Sequence, residues 1–143
     1  MNFLFRLLPL LFICCLIFSC KKSYTSPDSK PTITSLKASL NGANAGTPST
    51  ATGSFTGTYN STAKTLSFTL SYTGLAPTAW HIHNVDNSNV EFSLGAIVPS
   101  PLESSISGFT TEEENDLFEA KYYVNIHSAA YSGGEISGII MKQ

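Results

Sequence analysis

The chain has 143 residues, a formal net charge of −2 at pH 7 and only 13% charged residues. Arg6 is the single arginine, so the remaining positive charge is carried by lysine. A weakly acidic chain with almost no arginine lacks the basic patches and bidentate arginine contacts on which nucleic-acid binding depends. We therefore expect no nucleic-acid partner.

Residues 1–19 predict an export signal. Arg6 is followed by an apolar run, Leu7 to Phe18, which is too short to span a bilayer comfortably as a permanent helix. Cys20 follows Leu16-Ile17-Phe18-Ser19, a sequence that resembles a bacterial lipobox, and we expect Cys20 to be lipidated. The alternative is an ordinary secretory signal with Cys20 as an incidental thiol.

Cysteine usage favours the lipoprotein interpretation. Cys14 and Cys15 would leave with the signal, so Cys20 would be the only cysteine of the mature chain. An exported domain without disulfides must be held together by its core. Acyl chains such as palmitate on Cys20 would anchor it firmly, because each buried methylene contributes about 0.8 kcal/mol. We expect a lipid-anchored protein of the bacterial cell envelope, on the periplasmic or surface face of the outer membrane.

The rest of the chain predicts a tether and one domain. Residues 20–31 are polar, contain two prolines and lack apolar periodicity, as a linker does. Residues 32–142 are long enough for a single domain and too short for two.

The domain consists of short strand-like segments separated by turn residues. The predicted strands cover residues 32–40, 51–59, 65–72, 78–85, 90–98 and 104–109, followed by a closing hairpin in 121–138. The clearest is 65–72, where Leu66, Phe68, Leu70 and Tyr72 share one face. We expect it to form an antiparallel hairpin with 51–59. This spacing predicts an all-β Greek-key β-sandwich of seven or eight strands.

One short helix interrupts the strands near residues 111–119. Thr110 and Glu113 have the spacing of a capping box, and Glu112 and Glu114 suit the positive end of a helix dipole. Leu117 and Phe118 would fasten this helix to the sandwich.

All three histidines lie in two predicted strands, 78–85 and 122–127. Because side chains alternate along a strand, His81 and His83 share one face and Trp80 and Ile82 the other. By the same rule His127 lies on a face opposite the core residues of its strand, together with Tyr123 and Asn125.

If these two strands pair, His81, His83 and His127 converge, because neighbouring strands lie about 4.8 Å apart. Three imidazoles suit zinc or copper, and water, Asn125, Asp86 or Glu135 could take a fourth position. In the alternative, the histidines hydrogen-bond to loops and to each other and fix the strand pairing.

Paired glycines in Ser132-Gly133-Gly134-Glu135 predict a tight turn. Glu135 has no partner acid or nucleophile at a readable spacing, so we expect it to hydrogen-bond to the backbone or to a histidine. No nucleophile, base and orienting group can be recognised together, and we expect a protein that is not an enzyme.

Several of these blocks together resemble the chordin-type (CHRD) domain. They are the stretch 80–83, the capped helix at 110–113, Tyr123 to Ala130, and Gly133 to Gly138. Here Asn84-Val85-Asp86 follows the histidine pair, where family members commonly have a glycine. The resemblance implies an exported β-sandwich module without established catalysis.

The His-x-His strand and the late Val-x-His also resemble, more faintly, copper/zinc superoxide dismutase. This implies a superoxide dismutase-like or immunoglobulin-like sandwich, without the further metal ligands that dismutation requires. We expect a non-catalytic binding or structural module whose partner is an unknown protein or glycan, and alternatively a copper- or zinc-binding protein.

Overall fold

The computed structural model describes residues 31–143, and in this range apolar and polar side chains alternate along most strands. The predicted signal 1–19, the lipidation site Cys20 and nearly all of the tether 20–31 lie outside the described residues. No helix within 31–143 is long and apolar enough to cross a membrane. The elements are β1 (Ile33–Asn41), β2 (Thr52–Asn60), β3 (Thr65–Thr73), β4 (Pro77–Asn84), β5 (Val90–Ser93), β6 (Leu102–Ser107), α1 (Thr111–Phe118), β7 (Tyr122–Ser128), β8 (Ile136–Ile139) and β9 (Met141–Lys142).

The strands form one antiparallel sheet in the order β5-β4-β7-β8-β1-β2-β3-β6, and β9 also pairs with β1. The sheet curls into a nearly closed, barrel-like sandwich. Strands distant in this order therefore meet across the core: Tyr72 of β3 contacts Trp80 of β4 edge to face, with ring centroids 6.0 Å apart. The prediction of an all-β fold with one short helix is confirmed.

Alternation along β3 builds the core as predicted. Leu66, Phe68 and Leu70 are buried, and Tyr72 at the strand end is partly buried against them. The Phe68 ring stacks on Phe55 of β2 with centroids 5.1 Å apart. The β2–β3 hairpin is also confirmed, because the two strands pair antiparallel along their whole length.

The helix α1 has the predicted cap. The Glu113 backbone N–H donates to Thr110 Oγ1 at 3.1 Å, and the Thr110 N–H donates to the Glu113 carboxylate at 2.7 Å. Leu117 is buried, and Phe118 packs edge-on against Tyr59 of β2. The cap and these contacts hold the helix against the sandwich.

One predicted strand was too long, and the predicted number of strands was too low. The strand predicted over 90–98 ends at Ser93, because Leu94 turns into the core and Gly95 adopts a positive φ of 85°. The structure has nine strands rather than seven or eight, because the C-terminal segment divides at Ile140. Ile140 is buried and its N–H donates to the carbonyl of Tyr122, so its neighbours belong to separate short strands, β8 and β9.

The closing hairpin positions the candidate site. β7 pairs with β8 on one side and with β4 on the other, antiparallel in both cases. The pairing of the two histidine-bearing strands, on which convergence of the histidines depends, is therefore present.

Candidate metal centre

The two strands β4 and β7 divide their side chains between the core and the outer face. Trp80 and Ile82 of β4 are buried in the core, which leaves His81 and His83 on the outer face. In β7 the core side chains are Tyr122, Val124 and Ile126. The outer face of β7 therefore carries Tyr123, Asn125 and His127.

The register of β4 and β7 brings the three histidines together. His81 lies opposite Asn125, His83 opposite Tyr123, and His127 opposite Ala79, so His127 is a diagonal neighbour of His81. One ring nitrogen from each of His81, His83 and His127 lies within 4.8 Å of the other two. The convergence predicted from the sequence is thus present.

Main-chain carbonyls fix the orientation of two of these rings. His83 Nδ1 lies 3.1 Å from the carbonyl oxygen of Ser88, and His127 Nδ1 lies 2.8 Å from that of Ser132. A carbonyl can only accept, so each Nδ1 must carry the proton and donate it. In each neutral ring the lone pair is then on Nε2. His83 Nε2 is buried and has no hydrogen-bond partner among the described residues.

The ring of His81 is the third member of the histidine cluster. His81 Nδ1 lies 3.2 Å from His127 Nε2. Zinc–nitrogen bonds of about 2.0–2.1 Å in a tetrahedral site place ligand nitrogens roughly 3.3 Å apart. The His81–His127 pair already has this spacing, and the wider separations need side-chain shifts of about 1 Å.

The surroundings of His81 favour its neutral form, the form that binds a metal ion. Burial lowers the pKa of His81 below its ordinary value of 6.5, and the neighbouring rings of His127 and His83 lower that pKa further. His83 is also stacked on Tyr123, with centroids 5.1 Å apart and planes inclined by 14°. The ring stack and the carbonyl hydrogen bond together limit rotation of the His83 ring.

The side chains considered for a fourth ligand differ in their surroundings. Within residues 31–143 the cluster of metal-ligating side chains contains only the three histidines, so it includes neither Asp86 nor Glu135. Glu135 is buried and accepts a hydrogen bond from Ser49 Oγ at 2.6 Å, a hydroxyl rather than the backbone or histidine partner that we expected. Asp86 is exposed. Asn125 lies beside His81, and its Oδ1 has no partner among the described residues.

The alternative interpretation of the histidines expected hydrogen bonds to loops and to each other, and both kinds are present. The sequence did not identify which carbonyls accept them. Each carbonyl contact joins a histidine to the residue five positions further along the chain, in the turn that follows its strand. Ser88 adopts a positive φ of 59°, which only the folded turn reveals. The Gly133-Gly134 pair was the one available signal, since it marks the turn that carries the Ser132 carbonyl.

Comparisons with known proteins agree with this architecture. The family model of the CHRD domain matches residues 36–140, which is most of the chain. No curated protein and no solved structure matches the chain. The matched range contains β4, β7, the capped helix and all three histidines. This chain belongs to the CHRD domain family.

Proposed function

We propose that this CHRD domain is a non-catalytic binding module of the bacterial cell envelope, anchored through lipid on Cys20, and that it binds a zinc or copper ion through His81, His83 and His127. The observation that carries the metal site is the arrangement of lone pairs. Three imidazoles on two paired strands present one ligand nitrogen each within 4.8 Å, and two of these rings are already held in the required tautomer.

Hydrogen bonds from the non-ligating ring nitrogen of a histidine are usual around protein-bound metals. A ligating histidine commonly donates its other ring nitrogen to a carbonyl or carboxylate, which orients the ring and makes the ligand more basic. His83 and His127 meet this condition through Ser88 and Ser132. Three protein nitrogens with the fourth position open to water or to a partner's donor atom suit both zinc and copper.

The non-catalytic part of the proposal rests on what the imidazoles contact. Their hydrogen-bond partners among residues 31–143 are main-chain carbonyls and one another, and none is a hydroxyl or thiol that an imidazole could activate. General-base catalysis on a side-chain nucleophile requires such a contact. A protein or glycan of the envelope is the partner class that we propose for the module.

Metal binding is tested by calorimetry on the untagged chain with zinc and with copper. The chain should bind one ion, and the variant with His81, His83 and His127 all replaced by alanine should lose binding. Asp86→Asn is the matched control, because Asp86 is exposed and lies outside the cluster. Unchanged uptake by the triple variant, or loss of uptake in Asp86→Asn, would contradict the site.

A further inference from the structure

A second concave surface lies beside the histidines on the same outer face. It is a groove of about 660 Å³ over β1, β8 and β7, bordered by the loop after β1 and the turn after β4. This volume is within the roughly 300–1,000 Å³ typical of small-ligand sites. None of the three histidines lines it, but Ser88 and Tyr123, which contact His83, do, so the groove adjoins the proposed metal centre.

A buried amide in the wall of this groove lacks a partner. Asn125 is only 5% exposed; its Nδ2 donates to the Gly133 carbonyl at 3.0 Å, and its Oδ1 has no partner among the described residues. Buried acceptors are nearly always paired, since an unpaired one costs free energy. The oxygen itself is enclosed rather than exposed to the groove, so the case for a ligand rests on the exposed polar side chains of the lining.

The chemistry of the lining restricts the class of ligand. No charged side chain lines the groove, so neither an anionic nor a cationic ligand would find a countercharge. Carboxamides and hydroxyls do line it, among them Asn41, Ser39 and Ser137. An apolar ligand would bury these groups without partners. These conditions favour a neutral ligand rich in hydroxyl groups.

Apolar side chains lie among these polar groups. Val85, Ile139 and Met141 line the groove and are 41%, 47% and 51% exposed. The half-buried ring of Tyr123 lines it as well. A saccharide presents hydroxyl groups at its edges and apolar C–H groups on its faces. It can therefore match both the polar and the apolar side chains that line the groove.

An extended peptide fits the same surface less well. Peptides bind sheets mainly by adding a strand at a free edge. The strands under the groove are interior, because β7 lies between β4 and β8 and β1 lies between β8 and β2. β7 pairs with β4 and β8, and β1 pairs along its length with β2, whereas β1 and β8 share only the Asn41–Ser137 pair. These strands therefore offer no free outer edge to a peptide. We therefore propose that this groove binds a neutral oligosaccharide. This deepens the glycan part of the proposed function, and its test does not require a bound metal ion.

The test is calorimetry on the full chain with three neutral hexasaccharides: maltohexaose, cellohexaose and chitohexaose. A hexamer of galacturonate is the charged probe, and a neutral serine–glycine hexapeptide is the peptide probe. We expect at least one neutral hexasaccharide to bind, with both comparison probes at least about tenfold weaker. Binding should be the same with zinc and with a chelator, so failure of the metal site and failure of the groove can be told apart.

Two substitutions on one strand supply a matched pair. Ser39 and Ser35 are both exposed on the outer face of β1, but only Ser39 lines this groove. Ser39→Trp should fill the groove and weaken hexasaccharide binding at least about tenfold, while Ser35→Trp should leave it unchanged. Absence of neutral saccharide binding, equal binding of either comparison probe, or equal effects of the two tryptophans would overturn the proposal.

Discussion

At the scale of single residues, the histidine rings have a defined protonation pattern before any metal arrives. His127 must keep its proton on Nδ1 to donate to Ser132, so its Nε2 accepts and His81 Nδ1 is the donor in the contact between them. In the proposed site the nitrogen of His81 nearest the other rings is Nδ1, so a metal ion there would need its lone pair. Binding would then move the proton of one ring, His81, and leave the protons of His83 and His127 in place.

We expect this pattern in long-range ¹H–¹⁵N correlation spectra of the metal-free chain near pH 7.5. His83 and His127 should be Nδ1-protonated with and without zinc, whereas His81 should change from the Nδ1–H to the Nε2–H tautomer when zinc is added. Nε2-protonated His83 or His127 in the metal-free chain would contradict the carbonyl contacts.

Tyr122 gives a second prediction at this scale. Its hydroxyl is buried without a partner among the described residues, and burial first, then nearby carboxylates, raise its pKa far above 10.0. Removing an unpaired buried hydroxyl costs little, so Tyr122→Phe should leave the free energy of unfolding at pH 7 unchanged or raise it by up to about 1 kcal/mol.

Tyr122→Phe should also change how the free energy of unfolding depends on pH above pH 10. Above pH 10 the unfolded tyrosine loses its proton while the buried one keeps it, so stability falls as the pH rises. Tyr122→Phe removes this contribution and should make the loss of stability between pH 10 and 11 less steep. Urea unfolding at pH 7, 10 and 11 measures both effects, and an equal slope in the two proteins would contradict the second.

At the scale of elements, the turn between β7 and β8 depends on one of its two glycines. Gly134 has a φ of 119°, and a side chain there would overlap the amide of Asn125. Gly133 has no neighbour within 4 Å of where its Cβ would be. Adjacent positions in one turn thus have opposite tolerance for a methyl group.

Gly134→Ala should therefore lower the free energy of unfolding by roughly 2 kcal/mol or more, because it adds both backbone strain and an overlap. Gly133→Ala is the matched control and should change the free energy of unfolding by less than about 1 kcal/mol. Urea denaturation of both variants checks this, and equal effects would show that the Asn125 contact does not constrain the turn. Because the turn also carries the Ser132 carbonyl, we expect Gly134→Ala to weaken zinc binding.

The strands also show which structural features could be predicted from the sequence and which could not. Alternation located β3 and assigned both faces of β4 and β7, since burial of one face enforces it. It could not place the end of β5, where Leu94 continues an apolar pattern but a positive φ at Gly95 ends the strand. The histidine cluster was predictable only on the condition that β4 and β7 pair, because the spacing of paired strands is fixed. The groove was not, because β1, β7 and β8 become neighbours only through long-range pairing.

At the scale of the whole molecule, the domain has no cysteine after Cys20 and must be held by its core and its sheet. The proposed anchor and the proposed binding surfaces are then separate functions of one chain.

Cys20→Ala should leave the protein uncleaved or in the soluble fraction, because neither lipid attachment nor cleavage before Cys20 can follow. Fractionation with mass determination tests this. Recovery of the Cys20→Ala variant as a mature lipid-modified protein would contradict the anchor. The control variant Ser23→Ala should fractionate as the protein without substitutions does.

The two carbonyl contacts of the histidines have a consequence for insertions and deletions. Ser88 and Ser132 contribute through main-chain atoms, so their side chains can vary without loss of the hydrogen bonds. What must be preserved is the count of five residues from histidine to carbonyl. One residue added to either turn would separate ring from carbonyl while all three histidines remain. In this chain the spacing after each strand is as much a part of the centre as the histidines themselves.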